Sequence, residues 1–147
     1  TSAAPHQPEP DAEGAFSIEL RDEYAAGLQD LESFRYMYVL FYMDRVRGIP
    51  AMTLHPPWAP DGVEVGVFAS RSPKRPNPIG LSIVEVRRIE GNTVYTSGLD
   101  AFDGTPVLDL KPYIAGLDTR VDADAGWVDA LPDAEHLRLH LEGVPHE

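Results

Sequence analysis

The clearest secondary-structure pattern in the sequence lies in Leu81-Ser-Ile-Val-Glu-Val-Arg-Arg-Ile-Glu-Gly-Asn-Thr-Val-Tyr-Thr-Ser97. Apolar and polar residues alternate from 81 to 89, which is the period of a strand with one buried face. The chain can turn at Glu90-Gly-Asn92 because glycine and asparagine tolerate positive φ. Apolar and polar residues alternate again in the segment that follows, so residues 81–97 are predicted to form a β-hairpin.

Similar signals on both sides of this hairpin predict further strands at residues 15–20, 36–43, 63–69 and 106–110. The aromatic run at 36–43 is expected to be buried on both faces. Short helices are predicted at 21–31, capped by Asp22, and at 132–140. Many short strands, frequent Gly and Pro, and one or two short helices indicate a mainly β, single-domain fold. A small β-barrel is favoured because closure removes exposed strand edges.

The composition sets limits on the chemistry. The chain has 147 residues, a formal net charge of -12 and no cysteine, so disulfides and thiolate sites are excluded. Among the histidines only His136 and His140 have a metal-ligand spacing, and these two are expected on a solvated tail helix. No apolar run reaches the ~20 residues that span a bilayer. We expect a cytoplasmic protein without a metal. The chain is divided into an extended arm at 1–13, a β-barrel domain at 14–127 and a tail at 128–147.

Residues 71–80, Arg71-Ser-Pro-Lys-Arg-Pro-Asn-Pro-Ile-Gly80, form the most unusual segment. Three prolines fix φ and push the residues before them towards extended conformations, so the loop loses little entropy on binding. Its three cations suit an anionic ligand, and its terminal glycine permits close approach of a backbone or a ligand. A stiff connector with solvated cations is an equally good interpretation from spacing alone.

A second constellation lies between residues 97 and 113. Asp103-Gly104-Thr105-Pro106 predicts a tight turn with a carboxylate and a hydroxyl at its apex, while Asp109 and Lys111 share one face of a strand. Taken alone, a common turn and a surface ion pair explain these residues.

Together, the blocks Gly66–Ser82 and Leu99–Tyr113 closely resemble the TsaA-like family, which includes the TrmO-type tRNA methyltransferases. Weaker similarity runs from about residue 5 to residue 127. The resemblance implies a β-barrel homodimer that binds S-adenosylmethionine and N6-methylates threonylcarbamoyladenosine beside the tRNA anticodon. By matching position it implies cofactor contacts at Pro8, Glu9, Pro10, Asp44, Arg45, Arg71, Leu81, Asp103, Gly104, Thr105, Pro106 and Val107.

The chemistry implied by the resemblance suggests further roles. A carboxylate would take the proton from a poorly nucleophilic N6 nitrogen, and Asp103 or Asp109 is the candidate base. Tyr36 is a candidate catalytic or stacking residue. Substrate contacts are assigned to Lys74, Arg75, Asn77, Lys111 and Tyr113. A local basic patch of Lys74, Arg75, Arg87, Arg88 and Lys111 would let tRNA approach an otherwise acidic surface.

Two other functions stay open at this point. The first is a methyltransferase of the same fold acting on a small metabolite, which the acidic surface and the absence of the C-terminal domain found in bacterial members favour. The second is an S-adenosylmethionine-binding dimeric module without turnover. Cofactor binding without any acceptor would favour this module.

Overall fold

The structure, a computed structural model, describes residues 16–132 of the chain. Its elements are β1 (Phe16–Glu19), β2 (Tyr36–Tyr42), β3 (Thr53–Leu54), β4 (Val65–Gly66), β5 (Ile79–Glu90), β6 (Thr93–Thr96), β7 (Val107–Pro112) and helix α1 (Ala115–Asp118). Short 3₁₀-helical turns lie at Asp22–Leu28, Leu31–Ser33, Val67–Ala69 and Gly126–Ala130. The prediction of a mainly β fold with few short helices is confirmed.

Five strands form one antiparallel sheet in the order β1-β6-β5-β2-β7, and β3 and β4 form a separate two-stranded ribbon. β5 and β6 are joined at Gly91, whose φ of 60° lies in the left-handed region that suits glycine. The hairpin predicted from residues 81–97 is therefore confirmed.

Strand β5 serves two parts of the sheet. Its first half, residues 79–85, pairs with β2, and its second half pairs with β6 across a bulge between Val86 and Arg88. A bulge bends a strand and increases its twist, which is how strands turn the corners of barrels and orthogonal sheets. β1 and β7 stand at the two ends of the strand order, so closure into a barrel remains a prediction.

The core lies on the face of the sheet that carries every second residue of β2. Met37, Val39 and Phe41 are buried there together with Val84 of β5 and Val94 of β6. Alternation in these strands places the apolar residues on one face, so removal of this surface from water stabilises the sheet.

The prediction that β2 is buried on both faces is wrong. Burial alternates along the strand, and Tyr36 and Tyr42 at its ends are 40% and 43% exposed. An unbroken apolar and aromatic run is typical of a doubly covered strand. In the described residues, however, the second face of β2 is only partly covered.

The strand predicted at 63–69 is shorter than expected. Only Val65–Gly66 pairs with β3, and the chain then enters the 3₁₀ turn Val67–Ala69. Prolines at 50, 56 and 57 flank β3 and lack the N–H groups that a longer ladder requires. The turn begins at the buried Val67, whose N–H bonds to the carbonyl of Met52 at 2.9 Å.

The helix predicted at 21–31 is a 3₁₀ turn, Asp22–Leu28, followed by a second turn at Leu31–Ser33. Asp22 does not cap it; its carboxylate instead accepts a hydrogen bond from the side-chain amide of Asn92 at 3.1 Å. Asp30, with a φ of 67°, breaks the helical path between the two turns.

The packed chain continues beyond residue 127. Val128, in the turn Gly126–Ala130, is only 3% exposed. The predicted boundary between residues 127 and 128 thus falls inside one element, although the division into arm, domain and tail stays a prediction. The helix predicted at 132–140 lies, apart from Pro132, outside the described residues.

Candidate functional site

Three segments of the predicted cofactor site meet at one end of the sheet. The N–H of Tyr42, the last residue of β2, bonds to the carbonyl of Pro106 at 2.9 Å, and the N–H of Met43 bonds to that of Pro78 at 2.8 Å. The end of β2, the start of β5 and the start of β7 are therefore held side by side. Because antiparallel neighbours bring opposite strand ends together, the loops at 44–45, 71–78 and 103–106 gather at this edge.

Arg45 joins two of these segments directly. Its guanidinium donates a hydrogen bond of 3.1 Å to the backbone carbonyl of Asp103 and lies 4.7 Å from the centre of the Phe102 ring. This geometry combines a charge-assisted hydrogen bond with a cation–π contact. The family resemblance implied that Arg45 and Asp103 contact the ligand separately. It did not indicate that Arg45 holds the backbone of Asp103.

The turn after Phe102 has the tight geometry that its sequence predicts. The N–H of Thr105 bonds to the carbonyl of Phe102 at 3.1 Å, and Gly104 has a φ of 82°. A residue with a side chain would be strained at this φ, so glycine is needed here. The carboxylate of Asp103 is exposed at the apex, where it is accessible to a ligand.

The proline-rich loop is stabilised from within by Arg75. The guanidinium of Arg75 donates to the carbonyls of Ser70 and Ser72 at 2.9 and 3.2 Å, and it lies 6.0 Å from the centre of the Phe68 ring. Its charge is therefore directed at the loop itself. The assignment of Arg75 to substrate binding has no support from this geometry and stays a prediction.

Arg71 and Lys74 differ from Arg75. Both side chains are exposed, and neither makes a hydrogen bond or ion pair with any residue between 16 and 132. The backbone beneath Lys74 is nevertheless fixed, because its carbonyl accepts a bond of 3.1 Å from the N–H of Ala51. The loop thus presents, from a fixed backbone, two cations that are not paired with any residue between 16 and 132.

Gly80 does not leave room for a ligand. A Cβ added there would overlap the ring of Phe41, which packs directly over the glycine from β2. The close approach that the sequence suggested is made by a core side chain. The interpretation of Gly80 as a possible point of ligand approach is therefore wrong.

Leu81 lies on the outer face of the sheet, the face opposite the core. It stands beside Leu40 of β2, whose other neighbour on the same face is Asp109 of β7. Adjacent strands lie about 4.8 Å apart, so Leu81 and Asp109 are separated by roughly 10 Å across this face. The structure therefore brings one predicted cofactor residue and one predicted base onto the same surface, close to the converging loops.

Asp109 is already paired. Lys111 Nζ lies 2.8 Å from its carboxylate, and the N–H of Leu110 donates to the other oxygen at 2.9 Å. The hydrogen bond from Lys111 lowers the pKa of Asp109 below its usual value. A carboxylate with a lowered pKa is a weaker proton acceptor, which disfavours Asp109 as a general base.

Tyr36 and Tyr113 lie at the opposite end of β2 from the converging loops. The N–H of Tyr113 bonds to the carbonyl of Tyr36 at 3.0 Å. Six residues of strand separate Tyr36 from Tyr42, which amounts to about 20 Å. Within one chain, the structure does not bring Tyr36 or Tyr113 to the edge that holds Asp103.

The far end of β2 contains an aromatic pair that the sequence did not single out. The rings of Tyr38 and Tyr113 are 5.5 Å apart, and the hydroxyl of Tyr113 bonds to that of Thr119 at 3.0 Å. Burial, followed by the negative charge of Asp118, raises the pKa of Tyr38. Periodicity on β2 places Tyr38 on the same face as Leu40 and is the signal that identifies it.

Some predicted features cannot be placed. Pro8, Glu9 and Pro10 lie outside the described residues. Between residues 16 and 132, no group of three or more His, Asp or Glu side chains is arranged to hold a metal ion. None of the helices in that same part of the chain has the length and apolar character needed to cross a bilayer.

Most of the chain matches a known protein family. The model of the TrmO_N family, described as the tRNA-methyltransferase O N-terminal domain, matches residues 1–119. A probable S-adenosyl-L-methionine-binding protein of Archaeoglobus fulgidus is 43% identical over 146 residues, covering 95% of this chain and 37% of that protein. The tRNA (adenine(37)-N6)-methyltransferase of Escherichia coli is 34% identical over 140 residues, covering 90% of this chain and 60% of that enzyme.

A solved structure agrees with these matches. The crystal structure of TrmO from Pseudomonas aeruginosa has a TM-score of 0.66 and 32% identity, covering 83% of this chain and 52% of that one. The chain spans less than two thirds of the length of each of these three proteins. The resemblance carried by the blocks at 66–82 and 99–113 is confirmed, and the chain belongs to the family of the tRNA-methyltransferase O N-terminal domain.

Proposed function

We propose that this chain binds S-adenosylmethionine and transfers its methyl group to N6 of threonylcarbamoyladenosine beside the tRNA anticodon, in the cytoplasm. The single observation that carries the proposal is the convergence of the loops at 44–45, 71–78 and 103–106 on one edge of the sheet. Similarity to a probable S-adenosyl-L-methionine-binding protein supports the cofactor, and similarity to a tRNA (adenine(37)-N6)-methyltransferase supports the tRNA adenine acceptor. The threonylcarbamoyl group is a finer expectation that comes from the family resemblance.

The residues at the edge fit the chemistry of the cofactor. S-adenosylmethionine carries a carboxylate, an ammonium, a sulfonium and a ribose diol. Arg71 offers an uncommitted cation for the carboxylate, while Asp44 and Asp103 offer exposed carboxylates for the ammonium or the ribose hydroxyls. Leu81, which is half exposed on the adjoining sheet face, offers apolar surface to the adenine ring of the cofactor.

The mechanism requires positioning more than electrostatic stabilisation. When bound, the cofactor supplies a methyl group on a sulfonium, which is transferred in-line to the acceptor nitrogen. The fixed backbones of the loops at 71–78 and 103–106 hold the cofactor and the acceptor nucleoside in near-attack geometry. Asp103 accepts the N6 proton in this proposal, because its carboxylate is exposed at the edge whereas that of Asp109 is held by Lys111.

Fewer cations are available for tRNA than the predicted basic patch contains. Of the five cations in the predicted patch, Arg75 bonds to loop carbonyls, Lys111 pairs with Asp109, and Arg88 pairs with Glu90 at 3.3 Å. We propose that Lys74, together with Asn77 of the same loop, makes the first phosphate contacts. Few phosphate contacts on a chain of net charge -12 imply weak binding by this part alone, with only a shallow dependence on salt concentration.

A second copy of the chain is proposed to cover the outer sheet face. Ile79, Leu81 and Ile83 on β5 are 45%, 49% and 48% exposed, and Ile79 stands opposite the exposed Tyr42 of β2. A contiguous apolar sheet face of this kind is typical of an interface. Its self-complementary apolar character suits a two-fold homodimer. Light scattering of Ile83→Glu against the parent chain tests this, and an unchanged mass would refute it.

Closure of the barrel is the finer part of the fold prediction. The bend of β5 at Val86–Arg88 supports a curved sheet. Hydrogen–deuterium exchange of the backbone amides of β1 and β7 tests it. In a closed barrel the outward N–H groups of both strands are paired, and rapid exchange on either strand would refute closure.

An S-adenosylmethionine-binding module without turnover is a second candidate. The names of the Archaeoglobus fulgidus relatives state only binding of this compound, and the acidic net charge opposes contact with nucleic acid. A methyltransferase that acts on a small metabolite is the other alternative. Both predict cofactor binding without a methylated nucleoside.

One experiment separates these functions. The chain is mixed with methyl-labelled S-adenosylmethionine and with tRNA that carries threonylcarbamoyladenosine, and the tRNA is digested and analysed by mass spectrometry. Label in the modified nucleoside, lost in Asp103→Asn and retained in Asp109→Asn, is the expected result. Binding without label in any nucleoside would refute the tRNA function and support the alternatives, which a metabolite panel then divides.

A further inference from the structure

The chain has two tryptophans, and they stack on each other. Trp58 lies in the connection between β3 and β4, and Trp127 lies in the C-terminal 3₁₀ turn Gly126–Ala130. Their ring centroids are 5.4 Å apart and their planes differ by 14°. This contact closes the C-terminal segment onto the part of the chain that leads into the proline-rich loop.

Trp127 also makes a directed contact to that loop. Its indole N–H donates a hydrogen bond of 2.8 Å to the backbone carbonyl of Ala69. Ala69 is two residues before Arg71, and the peptide group that carries this carbonyl connects Ala69 to Ser70. The orientation of this peptide group therefore sets the direction in which the chain enters Ser70 and Arg71.

The same short stretch is held from the other side. The carbonyl of Ser70 accepts from the guanidinium of Arg75 at 2.9 Å, and the hydroxyl of Ser70 donates to the carbonyl of Val67 at 2.9 Å. Consecutive carbonyls at 69 and 70 are thus each bound by a side chain. Of the two side-chain donors, only Trp127 comes from outside the loop and its preceding turn.

The turn that carries Trp127 is anchored. Val128 is 3% exposed; Ala59, beside Trp58 in the connection between β3 and β4, is 8% exposed, and Val67, which begins the turn that ends at Ala69, is 1% exposed. Burial of these residues fixes both ends of the contact. A hydrogen bond between two fixed groups can hold a backbone in place, whereas one from a loose tail cannot.

We propose that Trp127 is a positioning residue for the cofactor loop, acting through the Ala69 carbonyl on Arg71. The match to the family model ends at residue 119, so this role falls to a segment beyond it. The proposal rests on the proposed binding of S-adenosylmethionine. It predicts that the C-terminal turn contributes to cofactor affinity without touching the cofactor.

The first test compares two variants of the full chain by calorimetric titration with S-adenosylmethionine. Trp127→Phe keeps an aromatic ring for the stack and removes the N–H donor. Trp58→Phe, the matched control, alters the other half of the same stack and leaves the hydrogen bond to Ala69. We expect Trp127→Phe to weaken cofactor binding about 5-fold, the usual effect of losing one hydrogen bond, and Trp58→Phe to stay within about twofold. Thermal unfolding checks that both variants are folded at the titration temperature.

A double variant provides the readout that a purely structural role would not move. If Trp127 acts through Arg71, then Trp127→Phe adds nothing to the loss caused by Arg71→Ala. Full additivity of the two losses, or equal affinity of Trp127→Phe and the parent chain, would overturn the proposal while leaving cofactor binding intact. Failure of the parent chain itself to bind would instead refute the proposed function and, with it, this role.

A measurement on the parent chain removes the dependence on a folded variant. Because coupling between sites is reciprocal, saturating S-adenosylmethionine should slow hydrogen exchange of the Trp127 indole N–H. The chain gives only two indole resonances, and that of Trp58 serves as an internal reference. Equal exchange of the Trp127 indole with and without bound cofactor would overturn the proposal.

Discussion

Replacement of Arg45 by alanine tests whether the Asp103 turn is held in place for the cofactor. The change removes a hydrogen bond of 3.1 Å to the Asp103 carbonyl and a cation–π contact of 4.7 Å to Phe102. An exposed hydrogen bond contributes about 1 kcal/mol, and an exposed cation–π pair about 0.5–1 kcal/mol. If the cofactor must then restore the turn, binding weakens by at most roughly 10- to 30-fold.

Calorimetric titration with S-adenosylmethionine measures this effect. Arg47→Ala is the matched control, because Arg47 is also exposed after β2 and makes no hydrogen bond or ion pair with the described residues. We expect that control to bind within twofold of the parent chain. A loss below twofold for Arg45→Ala would refute the argument that Arg45 holds the turn.

A second variant separates holding the turn from direct contact with the cofactor. Phe102→Leu removes the ring beneath Arg45 and leaves the guanidinium free to reach a ligand. We expect a loss of about two- to fivefold, the share of the cation–π contact. Full affinity of Phe102→Leu, combined with a large loss for Arg45→Ala, would show that Arg45 acts on the cofactor and not on the turn.

Three further predictions concern packing and charge. Gly80→Ala forces a methyl group into the Phe41 ring and should lower the free energy of unfolding by about 1–3 kcal/mol in urea titrations; an unchanged midpoint would contradict the overlap. Lys111→Met removes the hydrogen bond that lowers the pKa of Asp109, so this pKa should rise towards its ordinary value in a carboxyl NMR titration, and an unchanged pKa would exclude Lys111 as the cause. Because the pKa of Asp109 is lowered in the folded state, its pair with Lys111 stabilises the protein above the unfolded-state pKa of about 3.9. This stabilisation should fade as the pH falls through the folded-state pKa. Equal acid sensitivity of the parent chain and Lys111→Met would refute this contribution of the pair. Gly104→Ala should weaken cofactor binding through strain at a φ of 82° without moving β7, which titration and amide chemical shifts check together.

Period and turn chemistry predicted the strands well where both signals agreed. The hairpin at Gly91 carries alternation on both sides of a glycine turn, and the structure reproduces it. The segment at 63–69 has a strand-like composition, but its neighbour β3 is confined by prolines that lie six to thirteen residues earlier in the sequence. Pairing depends on the partner strand, and a local pattern does not contain that information.

The site was predicted in its parts and not in its connections. The family resemblance assigned Arg71, Arg45 and Asp103 to one cofactor site, and the topology places their segments at one edge. The sequence did not distinguish the exposed Arg71 from Arg75, which binds its own loop, because both have the same chemistry. Gly80 illustrates the same limit, since only the tertiary packing of Phe41 reveals what approaches it.

The bulge between Val86 and Arg88 has a consequence for how the length of this protein can vary. Insertion or deletion of one residue in the first half of β5 would turn Leu81 into the core and Ser82 out of it, because side chains alternate with a period of two. Beyond the bulge, the pairing of β5 with β6 already contains a register shift, between Val86 and Arg88. Natural length variation and engineered insertions should therefore be tolerated at the Gly91 end of the hairpin and excluded from residues 79–85, where a single added residue would dismantle the surface beside the site.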